Sequence, residues 1–394
     1  MIKRELYMGR IRPFIGKDVV KVITGFRRSG KSVMLDLLRE EIGDPVHSIY
    51  LNFESKSNAK YTQAGALYDY VIQKVGGSGR DKWYLFFDEM QEVIGWEEAI
   101  NSFRVDFDAD IYITGSNAKL LSGELATLLS GRYVQFVVYP FSYGEFLLIN
   151  AGKGKGFMDY LKLGGMPFLT HVIDDEKAAS LYLEDVYHSV VLKDVVKRNH
   201  IRDIDLLERI ITYVLANIGQ TFSATSIAKY FKNEQRKVST DTVLNYIKAC
   251  EEAYLFYKLK RQDVKGKRIL EVAEKYFAVD HGVREAVYGK NMEDIGQVLE
   301  NIVCLELLRR GYTVAVGMVE AEEVDFVGAR NNKPVYIQVA YLMPDKKTQE
   351  REFGSLLKID DNYPKFVVSM DEVDMSQKGI VHLNIKDFLI KDWG

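Results

Sequence analysis

A chain of 394 residues with 47% hydrophobic, 12% aromatic and 28% charged residues has room for two or three domains. Its make-up is that of an ordinary folded protein, not of a disordered, collagen-like or disulfide-built one. The 53 Lys and Arg against 56 Asp and Glu leave a net charge of −3, so no chain-wide basic field draws it to nucleic acid or anionic lipid, and any such affinity has to be local. The opening MIKRELYMGR is charged and no run approaches the ~20 apolar residues that span a bilayer. Cys250 and Cys304 lack the spacing of a zinc or redox pair and read as buried, reduced thiols. The expectation is a cytoplasmic protein with no membrane partner.

Residues 19–24, VVKVIT, predict a strand that runs into a glycine turn, and SVMLDLLREEI from Ser32 has apolar positions at helical spacing. HSIYLNFE (47–54), WYLFFDE (83–89) and ADIYITGS (109–116) predict three more strands, separated by AGALYDYVIQKV and WEEAINSFRV as helices, and RYVQFVVY (132–139) predicts a fifth. This alternation predicts an α/β domain over residues 1–150, a mostly parallel sheet covered on both faces. The glycine and lysine cluster at 151–156 reads as an exposed joint. From 157 to about 250 the pattern is helical with breaks at GGMP and NIGQ. FSATSIAKYF, STDTVLNYIKACEEAYLF and YKLKRQDVKGKRI follow the order helix, turn, helix, hairpin of a winged helix, so a helical and winged-helix domain is expected over 151–273. From Glu274 the signals mix again through KYFAVD, IGQVLENIVCLELLRR, YTVAVGMV, EVDFVGA, PVYIQVAYL and KFVVSM, which predict a third, α/β domain over 274–394.

Gly25-Phe26-Arg27-Arg28-Ser29-Gly30-Lys31-Ser32 fits GxxxxGK[ST] between a predicted strand and a predicted helix, the setting of a phosphate-binding loop. Glycines let backbone N–H groups turn toward phosphate oxygens, and the following helix adds the positive end of its dipole. The candidate ATP-binding residues are therefore Gly25, Arg28, Ser29, Gly30, Lys31 and Ser32. Lys31 would neutralise the β and γ phosphates, and Ser32 would place its hydroxyl on Mg2+. Asp88 and Glu89 end a buried strand at the carboxyl edge, where open parallel sheets bind ligands. Asp88 would hold the magnesium directly or through water, and Glu89 would orient and polarise an attacking water. Ser116 or Asn117, past the next strand, would touch the γ-phosphate or that water; with Thr114 they equally suit an ordinary turn. Arg132 would offer positive charge to a neighbouring subunit's nucleotide, against the plainer reading of a surface arginine.

With TGFRRSGKS, FFDEMQEV, ITGSNAKLLSGELATLLSGRY, YPFSYGEFL, LGGMPFL and VEAEEVDFV, the chain resembles, over nearly its whole length, a family of bacterial and archaeal AAA-type ATPases. These join an N-terminal P-loop domain to a C-terminal domain of unknown function with a degenerate restriction-endonuclease-like fold. The resemblance implies ATP binding, an AAA-type module and assembly into homo-oligomers, and it names no substrate or protein partner.

Residues 227–268 carry 11 Lys or Arg against 5 acids. In a winged helix Ser239, Thr240 and Thr242 would begin the recognition helix, while Lys265, Lys267 and Arg268 would ride the wing toward DNA phosphates; a protein-packing module with solvated charges is the alternative. In the last domain Glu300 and Asp325 match the helix glutamate and aspartate of restriction-endonuclease-like cores, but Gln338 and Ala340 stand where Glu and Lys would activate water on a metal. Nuclease chemistry is therefore expected to be lost. Two readings follow: a Mg2+-dependent ATPase, or a nucleotide-gated DNA-binding switch with little turnover.

Overall fold

The computed structural model describes residues 2–76, 81–118, 131–234, 236, 238–266, 269–289 and 292–393. Its residue contacts divide the chain into two units, Met1–Tyr139 with Glu252–Tyr254, and Pro140–Glu251 with Leu255–Gly394.

The first unit runs α1 (Glu5–Ile11), β1 (Val20–Thr24), α2 (Lys31–Ile42), β2 (Ser48–Asn52), α3 (Ala64–Val75), β3 (Trp83–Asp88), α4 (Trp96–Asp106), β4 (Ala109–Gly115) and β5 (Tyr133–Val137). Its five strands lie in the order β2-β3-β4-β1-β5, with every pairing parallel. Every position of β1 is buried, as in a parallel sheet covered on both faces. Val22, Leu85, Phe87, Ile111 and Ile113 pack with Leu67 and Val71 of α3 and with Ile100 and Phe103 of α4. Burying each such side chain is worth about 1.5–3 kcal/mol, so this layer holds α3 and α4 in place. Parallel alignment also brings the carboxyl ends of the strands to one edge, where Asn52 pairs with Asp88 and Thr24 with Gly115.

The second unit opens with α5 (Tyr143–Ile149), α6 (Phe157–Leu163), α7 (Glu176–Val190) with a π-helical continuation, α8 (Ile204–Ala216), α9 (Ala224–Asn233) and α10 (Thr240–Glu252). Then come β6 (Phe256–Asp263), β7 (Ile269–Ala278), α11 (His281–Tyr288), α12 (Ile295–Arg309), β8 (Thr313–Val319), β9 (Glu322–Arg330) and β10 (Lys333–Val339). It ends with α13 (Lys346–Leu357), β11 (Lys365–Ser369), β12 (Val381–Asn384) and α14 (Ile385–Ile390). A seven-stranded sheet runs β12-β11-β10-β9-β8-β6-β7. Val324, Val327, Tyr336 and Val367 pack with Phe353 and Leu356 of α13 on it. Cys250 and Cys304 are both free and buried. Among the described residues no helix is long and apolar enough to cross a membrane.

The residue contacts divide the chain at Tyr139/Pro140. Phe141 N donates to Gly165 O at 2.6 Å, and a Cβ on Gly165 would come within 2.2 Å of Phe141 O, so the PFSYGEF segment is stitched to the GGMP turn of the second unit. The boundary expected at 273/274 falls inside β7. The β6–β7 hairpin is there as predicted, but β6 also pairs in parallel with β8, Arg261 opposite Val316. The hairpin is thus the edge of the C-terminal sheet.

Candidate nucleotide site

Between the end of β1 and the start of α2, Gly25 to Gly30 turn the chain over the carboxyl edge of the sheet. A Cβ on Gly25, which sits at φ 143°, would lie 2.2 Å from Val138 O, so no other residue lets the loop pass the chain beyond β5. Gly30 is the N-cap of α2 at φ 101° and provides no side-chain cap, which leaves first-turn N–H groups for an incoming anion. Arg28 takes φ 64° with its side chain exposed. Ser29 is fully buried, and its Oγ has no hydrogen-bond partner among the described residues; a buried hydroxyl is costly to leave unsatisfied. Lys31 Nζ folds back onto Phe26 O at 3.0 Å and stands 3.8 Å from Glu89 Oε1. Arg4 braces the loop, donating from Nη1 to Ser29 O and from Nη2 to Tyr139 O, both at 2.9 Å.

Among the described residues Asp88 is held by three neighbours. Thr114 Oγ1 donates to Oδ1 at 2.5 Å, Asn52 Nδ2 donates to Oδ2 at 2.8 Å, and the Tyr50 hydroxyl reaches Oδ2 at 3.3 Å. Burial, with the charge of Asp88 next, pushes the Tyr50 phenol up to about 12, which keeps it a donor. Asp88 is therefore fixed in orientation and retains lone pairs for a water on a metal. Glu89 follows in the left-handed region at φ 55°, a conformation that costs a non-glycine residue about 1–2 kcal/mol and gathers at functional sites. Thr114 Oγ1 accepts from its backbone N–H at 2.9 Å, and Gln91 Nε2 donates to its Oε2 at 2.5 Å. The under-capped helix start, the orphaned Ser29 hydroxyl, an ammonium 3.8 Å from Glu89 and the oriented Asp88 suit a phosphate chain with Mg2+.

Gly25, Ser29, Gly30, Lys31, Asp88 and Glu89 thus gather at one edge, with partly exposed Ser32 in the first turn of α2. Ser116 and Asn117 are buried just past β4 on the same edge, and Thr114, within β4, donates to Asp88. Arg132 is exposed, and its carbonyl accepts from Val20 N at 2.9 Å, so it stands at the amino edge of β1, opposite its own loop. Asn52, Gln91 and Arg4 carried no expectation at the site, and Thr114 only that of a turn residue. The polar ends of IYLN and YIT were the signal for Asn52 and Thr114, and nothing in the sequence points to Arg4.

In the second unit Lys265 Nζ pairs with Glu320 Oε1 at 2.9 Å, both side chains 55% exposed; Lys237, Lys267 and Arg268 lie outside the described residues. Glu300 on α12 and Asp325 on β9 do come together, around a lysine the sequence reading did not consider. Lys275 of β7 puts Nζ 2.6 Å from Glu323 Oε1 and 3.7 Å from Glu300 Oε2. Asp325 Oδ2 accepts from Val339 N at 2.8 Å, and Gln338 Nε2 donates to Glu352 Oε2 at 3.2 Å. Burial pushes the Asp325 carboxyl up to about 7 and the Glu300 carboxyl well up, each against the pull of Lys275. No group of three or more His, Cys, Asp or Glu among the described residues is arranged to hold a metal.

The family model for the AAA domain matches residues 17–147, and that for a domain of unknown function (DUF8612) matches residues 154–294. An uncharacterised protein of Haemophilus influenzae is 38% identical over 402 residues, covering 99% of each chain. The uncharacterised protein MJ1544 of Methanocaldococcus jannaschii is 31% identical over 381 residues, covering 90% of this chain and 82% of that one. Among solved structures, the Walker-type ATPase PABY2304 of Pyrococcus abyssi is similar in fold, with a TM-score of 0.51 at 13% identity over 72% of this chain and 95% of that one.

Proposed function

Because the chain belongs to the family of the Haemophilus influenzae and Methanocaldococcus jannaschii proteins and carries an AAA-type P-loop domain, we propose that it binds ATP with Mg2+ and hydrolyses it. The observation that carries this is the meeting of the loop lysine with the strand-end pair: Lys31 Nζ lies 3.8 Å from Glu89 Oε1, beside an Asp88 oriented by Asn52 and Thr114. Lys31 would exchange Phe26 O for phosphate oxygens, and Ser29 Oγ and the loop N–H groups would find acceptors there. Ser32 and, through water, Asp88 would hold Mg2+, whose charge offsets that of the phosphates. Glu89 would take the proton of the attacking water at Oε1. Asn117 would line the γ-phosphate end, Arg28 would contribute backbone N–H, and Arg132 would serve only a nucleotide held by a neighbouring copy. Phosphate release should stop on chelation and fall ~10²–10⁴-fold in Glu89→Gln with nucleotide still bound; equal rates in wild type and Glu89→Gln would sink the catalytic assignment.

A second reading, a nucleotide-gated switch on DNA, has one supporting feature. A groove of about 370 Å³ is lined by Thr225, Lys229, Lys232, Ser239 and Thr240, where Ser239 Oγ accepts from Thr242 N at 3.0 Å and starts α10. Slow turnover with duplex affinity that falls steeply with salt supports this reading; salt-insensitive or absent binding removes it.

A further inference from the structure

α10 ends at Glu252, and Leu255 N then donates to Cys250 O at 2.9 Å with Tyr254 at φ 58°. This is the closure in which the residue in the left-handed conformation is usually glycine. A tyrosine there strains the backbone where glycine would not, so its side chain has to offset that cost. The side chain is buried, and its hydroxyl donates to Thr24 Oγ1 at 2.8 Å. Gln135 Nε2 completes the triangle, donating to the Tyr254 hydroxyl at 3.1 Å and to Thr24 Oγ1 at 2.9 Å. Burial pushes the phenol up to about 12, so it remains a donor at neutral pH. Thr24 is the last residue of β1, next to Gly25, the residue with most freedom in the loop. Glu252–Tyr254 group with the first unit, although the chain on either side belongs to the second.

We infer that Tyr254 is a positioning residue of the phosphate loop: it fixes Thr24 at the hinge before Gly25, and because it also closes α10, it ties ATP occupancy to the order of the last turn of that helix. The inference rests on the nucleotide reading above. Thr24 held in one place sets the direction of the Gly25 N–H, so loosening it weakens phosphate binding in the ground and transition states alike, which raises KM and leaves kcat nearly unchanged. By linkage, ATP that favours the anchored loop also favours the anchored helix end, and the effect is reciprocal.

The test compares wild type, Tyr254→Phe, Thr24→Val and the double variant in ATP turnover, with circular dichroism and thermal midpoints as checks of folding. Removing one buried hydroxyl bond should raise KM about three- to tenfold with kcat held within about twofold. The double variant should be no worse than the poorer single one, because both act through one contact. Hydrogen exchange over residues 248–256 should slow when a non-hydrolysable ATP analogue binds wild type, and slow less in Tyr254→Phe. A wild type that hydrolyses ATP with KM and exchange unchanged in Tyr254→Phe overturns the inference alone. A wild type that binds no nucleotide overturns the reading it rests on. Additive effects in the double variant would assign Tyr254 to packing and also overturn the inference.

Discussion

Lys31 and Lys275 are both buried beside carboxylates, 3% and 4% exposed, yet one faces a loop and the other a sheet. Around Lys31 the Glu89 carboxylate stands off at 3.8 Å, and the Ser29 hydroxyl has no partner among the described residues. Around Lys275 the carboxylates close in, Glu323 at 2.6 Å, while the backbone N–H of Val339 is already spent on Asp325. A loop that turns through glycine leaves donors unused for a ligand, whereas a sheet consumes them in its own ladder. The same residue types therefore make a receptive loop in one unit and a closer ion-pair cluster in the other, where Glu300 Oε2 also has no hydrogen-bond partner among the described residues.

The contrast can be broken first at the lysines. Lys275→Met strands buried carboxylates and should cost about 3–5 kcal/mol in denaturant unfolding, while Lys31→Met should abolish nucleotide binding at a smaller cost in stability. Comparable stability losses would erase the distinction. Next comes pH. Asp325 titrates near 7 in the folded chain against ~3.9 when unfolded, so the folded state holds a proton the unfolded chain has lost, and wild-type stability falls as pH rises from about 4 to 7. Asp325→Asn removes that loss; its stability relative to wild type should climb by up to ~1.4 kcal/mol per pH unit in that window, and a flat difference would show the carboxyl to be ionised throughout.

A smaller effect is expected at Asn52. Its amide holds Asp88 Oδ2 at 2.8 Å, and Asn52→Ala should lower kcat about tenfold, as losing an outer partner of a metal ligand does; unchanged turnover would leave Thr114 and Tyr50 sufficient. Least should follow from Lys265→Ala. Its exposed pair with Glu320 belongs to a class that adds little stability, so the melting midpoint should stay put while any duplex affinity drops slightly. A large midpoint shift would mean that this turn of the sheet edge is more tightly built than its exposure suggests.

The strands and the phosphate loop were legible because each is a local pattern: a β-branched run, then GFRRSGKS, then a 3.6-residue period. Asp88 and Glu89 were legible because they end such a run. Asn52 and Thr114 were not, since only the parallel register sets them against Asp88. Lys275 was hidden for a different reason. Its strand was expected in the same domain as Glu300 and Asp325, but what sets it beside them is the pairing of the hairpin with β8, some fifty residues further on, which no local pattern shows.

The return of Glu252–Tyr254 to the first unit bears on how this molecule can be divided. A fragment cut at Tyr139 would keep the whole five-stranded sheet and every candidate phosphate ligand, yet leave behind the hydroxyl that anchors Thr24. Such a piece is not a cassette to be moved onto another partner by simple recombination; an exchange that preserved its affinity for nucleotide would have to carry the end of α10 with it.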